Sequence, residues 1–197
     1  MAQKVKKMSQ QSLEDQISAT YTGKRLETAA LTSVVILNLD RYTDIRANIE
    51  SLYQRTDLPF EVVIFDNGSK DQDAINYLKH INGKTKEDGN GKIKVIFNKE
   101  NIGCSAGRKE ALKHVSKDAK YIATIDNDII YTSGWLEELI QSVEKDDKIA
   151  AAGVKLVLPD EKIQLTGGDI LIEPNTYFAN FTSCRNLTLF LGFANLF

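Results

Sequence analysis

The sequence predicts a layered α/β domain with a mostly parallel central sheet. Three observations carry that expectation: continuous β-branched runs such as Thr32-Ser-Val-Val-Ile-Leu-Asn38, amphipathic stretches between them, and short polar connections. A strand buried on both faces reads as an unbroken apolar run, whereas a half-solvated strand alternates. Strands that alternate with helices stack into a parallel sheet with right-handed crossovers. At 197 residues and 42% hydrophobic content the chain has enough material for one domain with a substantial core.

Residues 1 to 30 are polar and weakly patterned, which suggests an N-terminal arm. Thr32 to Asn38 is the first strand. Tyr42, Ile45, Ile49 and Leu52 then recur at helical spacing and give an amphipathic helix ending near Arg55. After Pro59, Phe60-Glu-Val-Val-Ile-Phe-Asp66 is a second buried strand. Ser69 with Gln72 has capping-box spacing, which predicts a helix start there, with Ala74, Ile75, Leu78 and Ile81 on its apolar face. Asn82 to Gly91 is Gly- and Lys-rich surface loop. Ile93 to Phe97 is the third strand, Asn98 to Gly107 leads into a helix carrying Ala111, Leu112 and Val115, and Tyr121 to Asp126 is the fourth strand. Thr132-Ser-Gly-Trp-Leu opens a helix with Leu136, Leu139, Ile140 and Val143, and Ala150 to Leu158 reads as strand again. Beyond Pro159 the pattern loosens: Gln164 to Ile172 looks like strand around a Gly-Gly turn, and Glu173 to Phe197 is aromatic and loop-like. The expected organisation is an arm over 1–30, a ligand-binding domain over 31–175 and a tail over 176–197.

A formal net charge of −2 gives no general pull toward nucleic acid or anionic lipid, so an anionic ligand must be held by local groups. Two distant cysteines, Cys104 and Cys184, make neither a disulfide framework nor a zinc site, and a cytoplasmic setting is the simplest expectation. The basic start lacks an apolar h-region, and no segment approaches eighteen apolar residues. The sequons at Asn180 and Asn186 read as chance matches. His80 and His114 sit in helical patterns without a nucleophile beside them, and Trp135 and Cys104 read as packing residues.

The chemistry gathers where strands end. Asn38-Leu-Asp40, Asp66-Asn67-Gly68-Ser69 and Asp126-Asn127-Asp128 follow the first, second and fourth strands, and ligands of open α/β sheets collect at the strands' carboxyl ends. If 126 to 128 stay extended, Asp126 and Asp128 share one side of the chain and offer two hard oxygens suited to Mg²⁺ or Mn²⁺. The plainer reading of Asp-Asn-Asp is a turn. Asp66 fits hydrogen bonding to a nucleobase or ribose, or equally an acid near a helix start. Asn101 to Arg108 sets Gly103, Gly107 and Arg108 at a loop-to-helix junction, where backbone N–H groups and a guanidinium suit phosphate; a solvated Arg108 is the alternative. No Walker or dinucleotide fingerprint is present.

Taken in order, Thr32 to Arg41, Glu61 to Ser69, Asn98 to Arg108 and Ile125-Asp-Asn-Asp128 resemble the nucleotide-sugar-binding half of family 2 glycosyltransferases of the GT-A, Rossmann-like α/β/α fold. The resemblance spans roughly residues 32 to 170. It implies that Leu37, Asn38 and Asp40 flank the base, that Asp66 recognises it with Asn67 beside it, and that Gly107 and Arg108 lie near the nucleotide. It matches Asp126 and Asp128 to the DxD motif, the first near ribose and metal, the second on the metal. The implied reaction moves a sugar, with inversion, from a nucleoside-diphosphate sugar, UDP-sugar first, to a saccharide or lipid-linked hydroxyl with Mn²⁺ or Mg²⁺ bound. The general base of such enzymes lies well beyond the motif, and only Asp169 and Glu173 follow Gly168 here, so no catalytic base is assigned. The alternative is a non-catalytic or truncated nucleotide-sugar-binding module that needs a partner chain. A nucleotidyltransferase would carry a Gly- and Lys-rich loop after its first strand, which Asn38 to Tyr42 lacks. The apolar stretch Leu187 to Phe197 fits a partner chain or a peripheral membrane contact.

Overall fold

The computed structural model describes residues 30–158, 160 and 162–165, together with the backbone of 170–172, 179–181 and 189–191. The expected arm, the Gly167-Gly168 turn, Asp169, Glu173, the sequon at Asn186 and most of the apolar tail lie outside the described residues.

Strand and helix alternate as the patterning predicts: β1 Thr32–Asn38, α1 Tyr42–Arg55, β2 Phe60–Asp66, α2 Gln72–Ile81, β3 Lys92–Phe97, α3 Cys104–Leu112, β4 Tyr121–Asp126 and α4 Trp135–Val143. Short strands follow: β5 Ala151–Gly153, β6 Leu156–Val157, β7 Ile163–Leu165, β8 Ile170–Ile172, β9 Ala179–Phe181 and β10 Leu189–Leu191. Among the described residues the main sheet runs in the order β3-β2-β1-β4-β10-β5. Its first four strands are mutually parallel, and β10 is antiparallel to both its neighbours.

Alternation across the central strands sorts the core into two layers. Val34 and Ile36 of β1 point to the face covered by Ile45, Ile49 and Leu52 of α1, Leu78 of α2 and Leu136 and Ile140 of α4. Val35, Val63 and Phe65 point to the other face, against Ala111 of α3. This is the α/β/α sandwich of the sequence reading, and burial on both faces is why these strands carry unbroken Val and Ile.

Three expectations need correcting. The second helix starts two residues later than the Ser69–Gln72 spacing implies: Asp71 is the cap and its carboxylate accepts from the N–H groups of Asp73 and Ala74. A free carboxylate there satisfies two orphan donors, while the Ser69 hydroxyl is drawn inward to Asp66. The stretch 150–158 is two short strands, because the chain leaves the main sheet after Gly153 and Leu156–Val157 pairs with β7 instead. Strand does lie on either side of the Gly-Gly segment, as expected, with β7 joined to β6 and β8 to β9. Leu189–Leu191, in the stretch expected to be a separate tail, lies inside the main sheet between β4 and β5.

Candidate functional site

Register brings the polar clusters together. Parallel pairing sets Asn38 opposite Asp66 on one side of β1 and Leu37 opposite Asp126 on the other. Three strands therefore end at one level, and their carboxyl ends form one edge. Asn38 is fully buried there; its Nδ2 donates to Asp66 Oδ1 at 3.0 Å, and its Oδ1 accepts from Asn127 Nδ2 at 2.9 Å. One amide thus ties β2 to the turn after β4. Asp66, 2% exposed, also accepts from the Ser69 hydroxyl. A carboxyl so deep in the fold is tolerable because the Asn38 amide and the Ser69 hydroxyl donate to it.

The turn after β1 is strained. Asp40 (φ 54°) and Arg41 (φ 57°) both lie in the left-handed region, which costs a non-glycine residue about 1 kcal/mol or more. Hydrogen bonds hold it: Asp40 N donates to Ser69 Oγ at 2.7 Å, and Asp40 Oδ1 accepts from the N–H groups of Lys70 and Asp71 at 2.5 and 2.7 Å. Arg41, so aimed, pairs with Asp44 at 2.5 Å and reaches Asp128 Oδ2 at 3.4 Å.

Asn67 joins β2 to the loop before α3. Its Nδ2 donates to Asn101 Oδ1 at 3.0 Å and to the Gly103 carbonyl at 3.2 Å, and its Oδ1 accepts from Ile102 N at 3.1 Å. Gly107 lies directly on this residue: a Cβ there would stand 2.7 Å from Leu37 Cδ1 and 3.3 Å from Asn67 Nδ2. The close approach that the glycine permits is thus to Leu37 and Asn67 of the chain itself. One residue on, the Arg108 guanidinium reaches Asp126 Oδ1 in a part-buried ion pair.

Asp126-Asn127-Asp128 does not continue as strand. β4 stops at Asp126 and the chain turns, so period-2 spacing is not what brings the carboxylates together. The turn wins because the side chains and carbonyls of this segment find partners in α1 and β1. Asn48 Nδ2 donates to the carbonyls of Asp126 and Ile129 at 3.1 and 3.0 Å, and Ser51 Oγ accepts from Tyr131 N at 3.3 Å. The two carboxylates remain partly open to solvent, at 31% for Asp126 and 43% for Asp128.

Asp126 and Asp128 are the residues here that could hold a divalent cation. Both carboxylates already attract cationic groups, Arg108 on one and Arg41 on the other. Among the described residues no cluster of three or more His, Cys, Asp or Glu side chains forms. A pair of carboxylates with open positions is the donor set that Mg²⁺ or Mn²⁺ takes when phosphate and water complete the shell. Asn48 and Ile102 were not singled out in the sequence. Asn48 has a visible signal, an amide on the apolar stripe of α1, whereas Ile102 gives none until its 37% exposure at the site edge is seen.

The parallel β3-β2-β1-β4 core with its carboxylates at one edge is a GT-A architecture. A crystal structure of GalNAc-T7 with UDP, GalNAc and Mn²⁺ superposes with a TM-score of 0.50 at 20% identity, over 61% of this chain and 22% of that one. The family model for glycosyl transferase family 2 matches residues 33–192, and the chain belongs to that family. An uncharacterised glycosyltransferase of Haemophilus influenzae is 32% identical over 157 residues, 76% of this chain and 46% of the relative. The bifunctional glycosyltransferase pgtA of Dictyostelium discoideum is 29% identical over 118 residues, 59% of this chain and 15% of the relative. The chain thus spans about half of the first relative and a small part of the second. No helix among the described residues is long and apolar enough to cross a membrane.

Proposed function

We propose that this chain binds a nucleoside-diphosphate sugar along the carboxyl edge of β1, β2 and β4 and takes part in transferring the sugar, with inversion, to an acceptor hydroxyl. The observation that carries the reading is the pair Asp126 and Asp128 at the end of β4, each facing an arginine and both reachable from solvent. UDP-sugar is the first donor to test, since the GalNAc-T7 structure of the same fold holds UDP and Mn²⁺.

Asp126 and Asp128 would hold Mn²⁺ or Mg²⁺, whose charge offsets the negative charge that builds on the leaving diphosphate. Arg108 supplies a second cation: its fork can leave Asp126 Oδ1 for a phosphate oxygen without leaving the site. Leu39 and Ile102, 38% and 37% exposed, offer apolar surface for a base, and Asp66, fixed by Asn38 and Ser69, is an acceptor for its N–H edge. The acceptor is a saccharide or lipid-linked hydroxyl, attacking opposite the diphosphate while a carboxylate elsewhere, acting as base, takes its proton.

Release of UDP from UDP-sugars tests the proposal. Wild type with Mn²⁺ is expected to release UDP, with or without an acceptor, and Asp128→Ala to lose at least about a hundredfold while still folded. Tight UDP binding without turnover would favour a donor-binding module that relies on a partner chain for catalysis.

A further inference from the structure

Asn48 is an anomaly on its helix. Ile45, Ile49 and Leu52 make an apolar stripe into the core, and Asn48 sits in that stripe, 0% exposed. A buried amide in such a place costs free energy unless its hydrogen bonds are made. Its Nδ2 makes two, to the carbonyls of Asp126 and Ile129, which bracket the turn carrying both carboxylates. Its Oδ1 is buried without a hydrogen bond of good geometry, and the buried Tyr131 hydroxyl just past the turn lies within reach of the Asn48 side chain. What the buried amide gives in return for its desolvation is a fixed turn.

We infer that Asn48 is a positioning residue for the Asp126–Asp128 pair, fixing the turn that would present the two carboxylates to a divalent cation. The inference rests on the donor-site reading above. The turn has no strand to hold it, since β4 stops at Asp126 and pairs with β1 only that far. Asn127 anchors its middle to Asn38, and Ser51 anchors Tyr131 beyond it. Among the described residues only Asn48 grips both flanks of the turn at once, and it does so from the buried face of α1. Metal ligands are held in this way by groups that never touch the ion, and loss of such a group typically weakens metal binding 10- to 100-fold. Binding that does not involve the metal, such as the contact of a base with Leu39 and Ile102, has no reason to depend on Asn48.

The test compares Asn48→Leu with Thr56→Val. Thr56 Oγ1 accepts from Trp135 Nε1 at 2.9 Å, a buried bond at the far end of α1, so the second variant loses stability without removing any hydrogen bond of the turn. Asn48→Ser, which keeps one donor, serves if the Leu variant does not fold. Mn²⁺ binding is read by the spectroscopic signal of free Mn²⁺, and turn mobility by hydrogen exchange of amides 127–131. Asn48→Leu is expected to weaken Mn²⁺ binding at least about tenfold, to speed exchange of the turn amides, and to leave metal-free UDP binding within about twofold. Thr56→Val leaves all three near wild type, and Asn48→Ser falls between. Equal effects from Thr56→Val and Asn48→Leu, or none from either, would overturn the inference while leaving the donor site standing. A wild-type protein that takes up no Mn²⁺, alone or with UDP, would overturn both.

Discussion

A single methyl group is the smallest probe of this site. At Gly68 (φ 83°) an added Cβ would lie 2.5 Å from the Glu100 carbonyl carbon and 2.8 Å from Asn101 N, so both conformation and backbone contact oppose it. Gly68→Ala is expected to cost more than about 2 kcal/mol, measured by denaturant unfolding. Gly107→Ala meets side-chain ends instead, Leu37 Cδ1 and Asn67 Nδ2, which can give way, so its cost should be about 1–3 kcal/mol. Arg108→Ala separates structure from chemistry. It removes the cation that competes for Asp126, so Mn²⁺ alone should bind at least as tightly as to wild type, while UDP with Mn²⁺ should bind about tenfold more weakly. Calorimetry of the two titrations checks the sign of each. At this scale the carboxylates, Asp66 and Arg108 were legible because their residue types declare a charge. The roles of Asn38, Asn67 and Asn48 as ties between strand ends were not, since an amide in a sequence names no partner and only register supplies one.

Elements show where local signals compete. Ser69 and Asp71 both offer caps to α2, and spacing alone favours the serine. Tertiary contacts reverse the choice, because Ser69 Oγ is taken up by Asp66, Asn38 and Asp40. Asp71 bridges α2 and the start of α1, accepting from Tyr42 N at 3.2 Å as well as from its own helix. Hydrogen bonding from the Tyr42 N–H, then from Ala74, holds its carboxyl below the ordinary value. The sign follows: a folded-state pKa below the unfolded one gives stability that is complete above the unfolded value near 4 and is lost as pH falls through the lower folded value. Asp71→Ala should therefore melt about 3 °C lower at pH 7, with the gap from wild type closing as pH falls below about 4. Helix α1 was legible in its apolar stripe, and its strained entry at Asp40 and Arg41 was not, since nothing local in Asp-Arg asks for a left-handed turn.

For the whole molecule the central strands decide order. β1 is paired on both sides, by β2 and by β4, and is covered on both faces. Its amides should exchange most slowly, near the global unfolding limit, with those of the short strands β5 to β7 exchanging orders of magnitude faster. The β1-to-β4 part of the fold was legible because continuous Val and Ile runs state burial on two faces. The placement of Leu189–Leu191 between β4 and β5 was not, because a three-residue strand has no periodicity to read and its partners are distant in sequence. What the sheet achieves is to set the ends of β1, β2 and β4 at one level, and the proposal is that a ligand spanning base to diphosphate meets Asp66 at one end and Asp126 with Asp128 at the other. Calorimetric titration of UDP with and without Mn²⁺, on wild type, Asp126→Ala and Asp128→Ala, tests that claim most directly. UDP binding that is much tighter with Mn²⁺ than without it, and that loses this gain in both variants, is the expected result. UDP binding indifferent to Mn²⁺ and to both substitutions, or no binding of any nucleoside diphosphate, would contradict it and leave Asp-Asn-Asp as a turn that closes β4.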